Sequence, residues 1–413
     1  MFLQQKKNNV PILFLIILFM LFIPIDMLNG ELVRSKLPSL SAIYKLTILF
    51  FISFYLIKIK KELYILGLCL FIMLFLLVHT LILGEIAKAI SGIDMLIRFN
   101  AIIIFFIFFK NLIKKDYIRY VFLIVKVSFF FLVFNIFLGA IGFGYGMYGG
   151  NSESAVGTRG LIYAGNEIGG ALIVSGSLVM MQQLEEDKYK NFFIIGLILL
   201  ITSAIMTSKL SLLGSIFVFF AFPILKAIKN IHNFKIPKKD FFYTQFFLVF
   251  VPFLAVLGIY YTLFESNLIV RLSYFYEKVD LITLIFSSRN IWAEEAYHAF
   301  INNYNTFEYI FGSGKDWWQF ISEHKLVEID FIDFLMSYGF LGIIITFGLL
   351  VFILFQIIYN KHLNPYSLYI IFMIILLFGM SSMAGHIFNS GTAGFLIAIL
   401  LALGFYQKKE IKE

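Results

Sequence analysis

The chain has 413 residues, 61% hydrophobic and 14% charged, with a mean hydropathy of +0.91. A soluble domain cannot hide that much apolar surface, so lipid is the solvent for most of the chain. The net charge of +8 does not point to nucleic acid, because Lys and Arg gather in short connectors between apolar runs, where they face anionic lipid.

A span needs about 20 apolar residues. Runs at 11–28, 40–57, 63–84, 93–113, 117–142, 164–182, 192–208, 210–228, 243–264, 331–358, 367–385 and 387–406 predict about twelve transmembrane helices. The first run follows Lys6 and Lys7 like a signal peptide, but it lacks a small-residue cleavage pattern and reads as an uncleaved helix. Cys69, the single cysteine, lies in an apolar run; it gives no internal disulfide or thiol metal site and reads as a small hydrophobe. The seventh and eighth runs are parted only by Thr207-Ser208-Lys209-Leu210-Ser211, so 192–228 also reads as one long interrupted run. The basic connectors are Lys58/Lys60/Lys61, Lys110/Lys114/Lys115/Arg119, Lys226/Lys229/Lys235/Lys238/Lys239 and Lys408/Lys409/Lys412. A twelve-helix count puts all of them on the side of the N-terminus, which the positive-inside rule makes cytoplasmic, with both termini there.

Two segments fall outside. The first, 142–165, is glycine-rich, and its backbone is free to turn or to approach a ligand. The second, 265–330, holds Trp292, Trp317, Trp318 and many Tyr and Phe, enough to pack as an ordered cap. The expected organisation is 1–264 with nine helices and the glycine-rich loop, 265–330 as an external loop with an amphipathic helix, and 331–413 with three helices and a cytoplasmic tail.

Few residues there suit chemistry. Arg159 precedes the sixth helix, where a snorkelling arginine is the plainer reading. Arg289 opens an amphipathic helix running to about Asn303, with Ser287 or Ser288 as N-cap and Ala293, Ala296 and Phe300 on its face. A cation there opposes the helix dipole and needs an anion, either a nearby carboxylate or a phosphate that its planar fork would grip. Glu328, Asp330 and Asp333 enter the tenth helix. The first two also suit a capping role, and a carboxylate at a partly dry interface can serve as a general base. Asp94 and Arg98, four apart, read as a pair. Asp26, His79, Lys126 and His386 also fall in spans, where a lone His usually acts as a satisfied interhelical donor. The sequence has no His/Cys metal spacing, no Gly-Lys phosphate loop and no Ser-centred elbow, so neither a metal nor a cofactor is expected.

These residues together resemble the O-antigen ligase/Wzy-type polymerase family of membrane glycosyltransferases. Arg159 is followed by ten residues and then Gly170, like the family's Arg-x10-Gly, and Ala164-Gly165-Asn166 is similar to its small-residue–Asn step. Thr207-Ser208-Lys209 resembles the T-S-[KR] step. Ser288-Arg289-x2-Trp292 resembles S-R-x-x-W, and Phe311-Gly312-Ser313-Gly314 and Gly339-Phe340-Leu341-Gly342 are similar to the following glycine motifs. Where ligases carry a His-Asn pair, this chain has Glu328-Ile329, and the nearest histidine, His324, comes four residues early.

The resemblance implies a GT-C-like, all-α polytopic fold in the bacterial cytoplasmic membrane, with its large external loop between helices 9 and 10. It implies an inverting, metal-independent polymerase of undecaprenyl-diphosphate-linked repeat units of a surface polysaccharide: O-antigen, capsule or exopolysaccharide. Arg159 and Arg289 would hold the diphosphate, and Glu328, or failing it Asp330, would take the acceptor's proton. Asn166, Lys209, Arg271, His324 and His386 would support them. Lipid-linked glycans, membrane lipids and a chain-length regulator protein are the implied partners. A ligase moving finished glycan onto a lipid or protein is the alternative, and a flippase or secondary transporter ranks third, because no repeat is seen.

Overall fold

Inside lipid every backbone N–H and C=O must bond within its own segment, so the long Leu, Ile and Phe runs coil into helices. The computed structural model describes residues 10–59, 62–84, 86–148, 156–232, 280, 283, 286, 288–314, 316–322, 326–360 and 364–407. The expected span 243–264, Ser287, Arg271, His324 and several basic connector residues (Lys60, Lys61, Lys235, Lys238, Lys239, Lys408, Lys409 and Lys412) lie outside the described residues.

In chain order the helices are α1 (Val10–Met20), α2 (Phe22–Arg34), α3 (Leu40–Lys58), α4 (Glu62–Leu83), α5 (Ile86–Gly92), α6 (Asp94–Lys114) and α7 (Ile118–Ala140). Strands β1 (Tyr145–Tyr148) and β2 (Val156–Gly160) follow, then α8 (Gly165–Glu185), α9 (Tyr189–Met206) and α10 (Lys209–His232). The remainder is α11 (Arg289–Asn303), α12 (Thr306–Phe311), a 3-10 turn (Asp316–Phe320), α13 (Asp330–Tyr359), α14 (Ser367–Ala384) and α15 (Gly394–Leu403). A helix stands in each predicted run the structure describes, but not each is a full span: 387–406 holds only the ten helical residues of α15. Six described helices are long and apolar enough to cross a membrane: α3, α6, α7, α9, most of α10, and α13. The pair α1–α2, bent by 44°, makes up to seven. The shorter apolar helices are Cys69–Ile82 within α4, Ser367–Met383 within α14, and α15. Gly and Ser residues dilute α8, yet it is buried from Ile168 through Met181 and meets protein rather than lipid. The seventh and eighth predicted spans are separate helices, because Thr207 turns left-handed (φ 56°) between them.

All ten residues of α15 are buried, packed chiefly against α6 at the centre of the bundle. At one end, Lys229 of α10 meets Glu185 at 2.6 Å and the Pro365 carbonyl at 2.9 Å, tying α8 and α10 to the start of α14. The other end carries a cap. There Ala296, Ala299, Tyr304, Trp317, Ile321, Val327, Ile329 and Met336 form a small separate core. The cap grips α13 through glycine. A side chain on Gly339 (φ 64°) would strike the Ile310 carbonyl at 2.4 Å, and one on Gly312 the Ser337 carbonyl at 2.3 Å. The two backbones cross at contact distance, with Ser313 N–H on Met336 O at 3.2 Å and Gly314 N–H on Ser337 O at 3.1 Å. Gly339 breaks α13 there, dividing a head at the cap from a longer apolar stem. His79 of α4 is the interhelical donor its position suggested: Nε2 donates to the Phe311 carbonyl at 2.8 Å. Burial pushes the Tyr304 phenol above its ordinary value, so it stays protonated and donates to the Met336 carbonyl at 2.7 Å.

The described residues of the glycine-rich segment include two paired strands. β1 and β2 pair antiparallel, with Tyr145 opposite Gly160 and Tyr148 opposite Val156. Asn135 of α7 clamps the ribbon's end: its Nδ2 donates to Arg159 O at 2.9 Å and its Oδ1 accepts from Leu161 N–H at 2.8 Å.

Candidate active site

Glu328 and Asp330 stand side by side at the head of α13 and do different things. Asp330, 1% exposed, accepts the backbone N–H groups of His386, Ile387 and Phe388, each at 2.9 Å, and the Ser381 hydroxyl at 2.7 Å. Gly385 (φ 51°) and His386 (φ 56°) turn the chain left-handed, which aims successive N–H groups at one anion. Asp330 thus ties down the start of the 385–393 loop, and both its oxygens are engaged.

The Glu328 backbone (φ 62°) lies so close to Gly385 that a side chain there would come within 1.9 Å of the Glu328 carbonyl. Its carboxylate pairs with the Arg289 guanidinium, the two side chains being 30% and 13% exposed. Arg289 Nε is buried with no hydrogen-bond partner among the described residues. Ser288 holds the N-cap position but makes no side-chain cap bond, because its backbone is left-handed (φ 66°) rather than extended. Of the two anions open to Arg289 on sequence grounds, the structure shows the carboxylate. Asp333, one turn into α13, is buried; its Oδ1 accepts Val327 N–H at 3.0 Å, and its Oδ2 has no hydrogen-bond partner among the described residues.

Arg159 is held differently. Its guanidinium lies over the rings of Tyr145 and Tyr163, 5.1 and 5.2 Å from the centroids. Among the described residues no carboxylate lies within ion-pair range of it, and its Nε is buried without a partner. Burial lifts the Tyr145 phenol above its ordinary value against the pull of Arg159, so the ring stays neutral and meets the cation through its π face. The strand carrying Arg159 sits on the Thr207 turn, where a side chain at Gly157 (φ 72°) would strike Thr207 Oγ1 at 1.9 Å. The Arg159 and Thr207-Ser208-Lys209 motifs are therefore packed together, with Lys209 exposed at the start of α10. Asn166 falls in the first turn of α8, and His386 contributes its backbone to the Asp330 clamp. No hydrogen bond or ion pair joins Arg159 to Arg289 or Glu328 among the described residues.

Sequence reasoning missed how the 385–393 loop is held further on. Glu167 Oε2 accepts the Ser390 hydroxyl at 3.0 Å and Thr392 N–H at 2.9 Å. Asp26 accepts from the Thr392 hydroxyl at 2.8 Å and Lys45 at 3.0 Å, and also from Ser41. Arg98 stands 3.7 Å from Asp94, the pair expected from their spacing, and equally 3.7 Å from Glu167. These groups wall a cavity of about 430 Å³ between α2, α3, α6 and the start of α8. The available signal was that Asp26 and Lys45 are opposite charges stranded in neighbouring apolar runs, each needing a partner. Among the described residues no group of three or more His, Cys, Asp or Glu is placed to hold a metal ion.

No curated protein and no solved structure matches the chain. Residues 274–409 match the family model described as O-antigen ligase like membrane protein. The match takes in α11 to α15 and hence Arg289, Glu328, Asp330 and the 385–393 loop, while Arg159 lies outside it. The family suggests a glycosyl-transferring enzyme of polysaccharide assembly acting on lipid-linked glycans. That match spans about a third of the chain, so the C-terminal part of this multi-pass helical membrane protein is similar to the O-antigen ligase/Wzy-like family.

Proposed function

We infer that the protein is an inverting glycosyltransferase that polymerises undecaprenyl-diphosphate-linked repeat units of a surface polysaccharide. Its cap end faces the outside of the bacterial cytoplasmic membrane, both termini lie inside, and a GT-C-like organisation is expected. The observation that carries this reading is the Arg289–Glu328 pair at the head of α13, a diphosphate ligand and a proton acceptor in direct contact.

The reading runs as an exchange of partners. Arg289 holds Glu328 until the donor's diphosphate arrives and takes the planar fork in bidentate bonds. Arg159, with its faces against two tyrosines, offers its edge donors to the same group. Glu328, released, accepts the proton of the acceptor hydroxyl. That oxygen bonds to the anomeric carbon from the side opposite the leaving group, the sugar–diphosphate bond breaks, and its electron pair stays on the diphosphate. The arginines neutralise the charge that develops there. Asp330, with four donors on its carboxylate, serves as an anchor rather than as the base. A chain-length regulator is a partner on this reading.

Deleting the gene should leave single repeat units on the carrier or its final acceptor. Unchanged polymer lengths would sink the reading. The family description itself favours a second one, a ligase, and its loss would instead leave long polymer on undecaprenyl diphosphate. One gel of lipid-linked and released glycan separates the two.

A further inference from the structure

Glu328 holds its place against its own backbone preference. A left-handed residue that is not glycine carries a steric cost, and it persists only where its surroundings leave no alternative. Contacts on three sides remove the alternatives for Glu328 (φ 62°). The Gly385 backbone lies against its carbonyl and Cα, with no room for a side chain between them. On the C-terminal side, Ile329 is buried in the cap core and Asp330 is clamped to residues 386–388. On the N-terminal side, Val327 is buried and its N–H donates to Asp333 Oδ1 at 3.0 Å.

That last contact is not an ordinary helix cap. The N-cap of α13 is Ile329, which has no side-chain oxygen to offer. Asp333 instead reaches back six residues, past the N-cap, to the amide just before Glu328. The Glu328 N–H bears on the same carboxyl group. Asp333 is 1% exposed, and a polar group so placed is destabilising unless its bonds offset the lost water. Its own main-chain N–H donates to the Ile329 carbonyl at 2.9 Å, so the side chain is anchored on the helix and the turn hangs from it. With Asp333 and Asp330 gripping either side, Glu328 is the carboxylate left turned outward, 30% exposed and paired with Arg289.

We propose that Asp333 is a positioning residue for the base: by holding the Val327 N–H, it fixes the left-handed turn that sets the Glu328 carboxylate against Arg289. It acts through Glu328 and not on the substrate. This role rests on the glycosyltransferase reading, in which Glu328 waits on Arg289 and then accepts the proton.

The test uses the full chain in nanodiscs, with lipid-linked repeat units for turnover and farnesyl diphosphate as the binding probe. Asp333→Val fills the buried space and removes the acceptor. It should lower kcat about ten- to a hundredfold, as a displaced catalytic group does, without raising KM. Freed from Glu328, Arg289 should bind farnesyl diphosphate about three- to tenfold more tightly, as in Glu328→Gln. The two changes together should bind within about twofold of either alone. A purely structural loss would instead weaken binding. Asp333→Asn keeps an acceptor oxygen for the Val327 N–H and should restore turnover. Should Asp333→Val fail to fold, Asp333→Ala takes its place. Turnover as low in folded Asp333→Asn as in Asp333→Val would overturn the proposal. So would binding by Asp333→Val that is unchanged, or that adds to the gain of Glu328→Gln. A Glu328→Gln protein with full turnover would sink the base reading alone, since binding still decides the role of Asp333. One that binds no more tightly would sink the exchange alone, since kcat and its rescue still decide it.

Discussion

Arg289 and Glu328 are 39 residues apart in the chain and joined in space. If that contact is a resting state displaced by a diphosphate, removing the carboxylate's charge should free the arginine. Glu328→Gln should abolish turnover yet bind a polyprenyl diphosphate about three- to tenfold more tightly, because a half-buried charged hydrogen bond competes at about 1 kcal/mol. Equal or weaker binding, measured by calorimetry in detergent, would remove the exchange. Asp330→Asn should behave otherwise and lower the melting temperature, since an amide nitrogen in place of one oxygen sets N–H against at least one of the backbone N–H groups that the carboxylate receives on both oxygens. For Arg159 and Arg289, replacement by Lys keeps the charge and loses the fork, so activity should drop at least about tenfold in each variant. Full activity in both would take them away from the diphosphate. The motifs made Arg159, Arg289 and Glu328 legible as individuals. They did not disclose the pairing, which depends on how α11 docks on α13. Nor could they disclose the Asp330 clamp, because three of its four donors are main-chain groups and leave no mark in side-chain chemistry.

The helices were the most legible elements, since length and hydropathy alone require a coil in lipid. The β1–β2 hairpin was the least. Its glycines blur any alternation, and what holds it is Asn135, a polar residue inside an otherwise apolar run that binds the strand from a different element. The glycine motifs of the cap were readable as patterns and unreadable as a mechanism. In the structure they are one crossing, Gly312 against Ser337 and Gly339 against Ile310. Gly339→Ala meets two obstacles at once: a backbone at φ 64°, ψ −168° that only glycine adopts readily, and a carbonyl 2.4 Å from the new methyl. A loss of about 3 kcal/mol or more is expected, seen as a lower melting temperature with the cap detached from α13. A Gly339→Ala protein as stable as the parent would mean that the crossing does not hold the cap.

For the whole molecule the single cysteine makes the proposed topology directly testable. Cys69 is the only cysteine and is exposed, so Cys69→Ser gives a clean background. Cysteine placed at Gln319, exposed in the cap, should react with a membrane-impermeant maleimide on intact cells, and cysteine at Lys190, exposed at the opposite end, should not. The reverse pattern would invert the proposed topology. One feature of the bundle also bears on how it is made. α15 has ten residues, all buried, and is about 15 Å long in a hydrocarbon core of about 30 Å. It presents nothing to lipid, and irregular chain precedes it at a depth where only protein can shelter open backbone. Such a segment gains little by partitioning from the translocon into the bilayer alone. It fits between walls that α6, α8 and α14 build, so the centre of the described bundle is a plug that closes from within rather than a span that inserts alone.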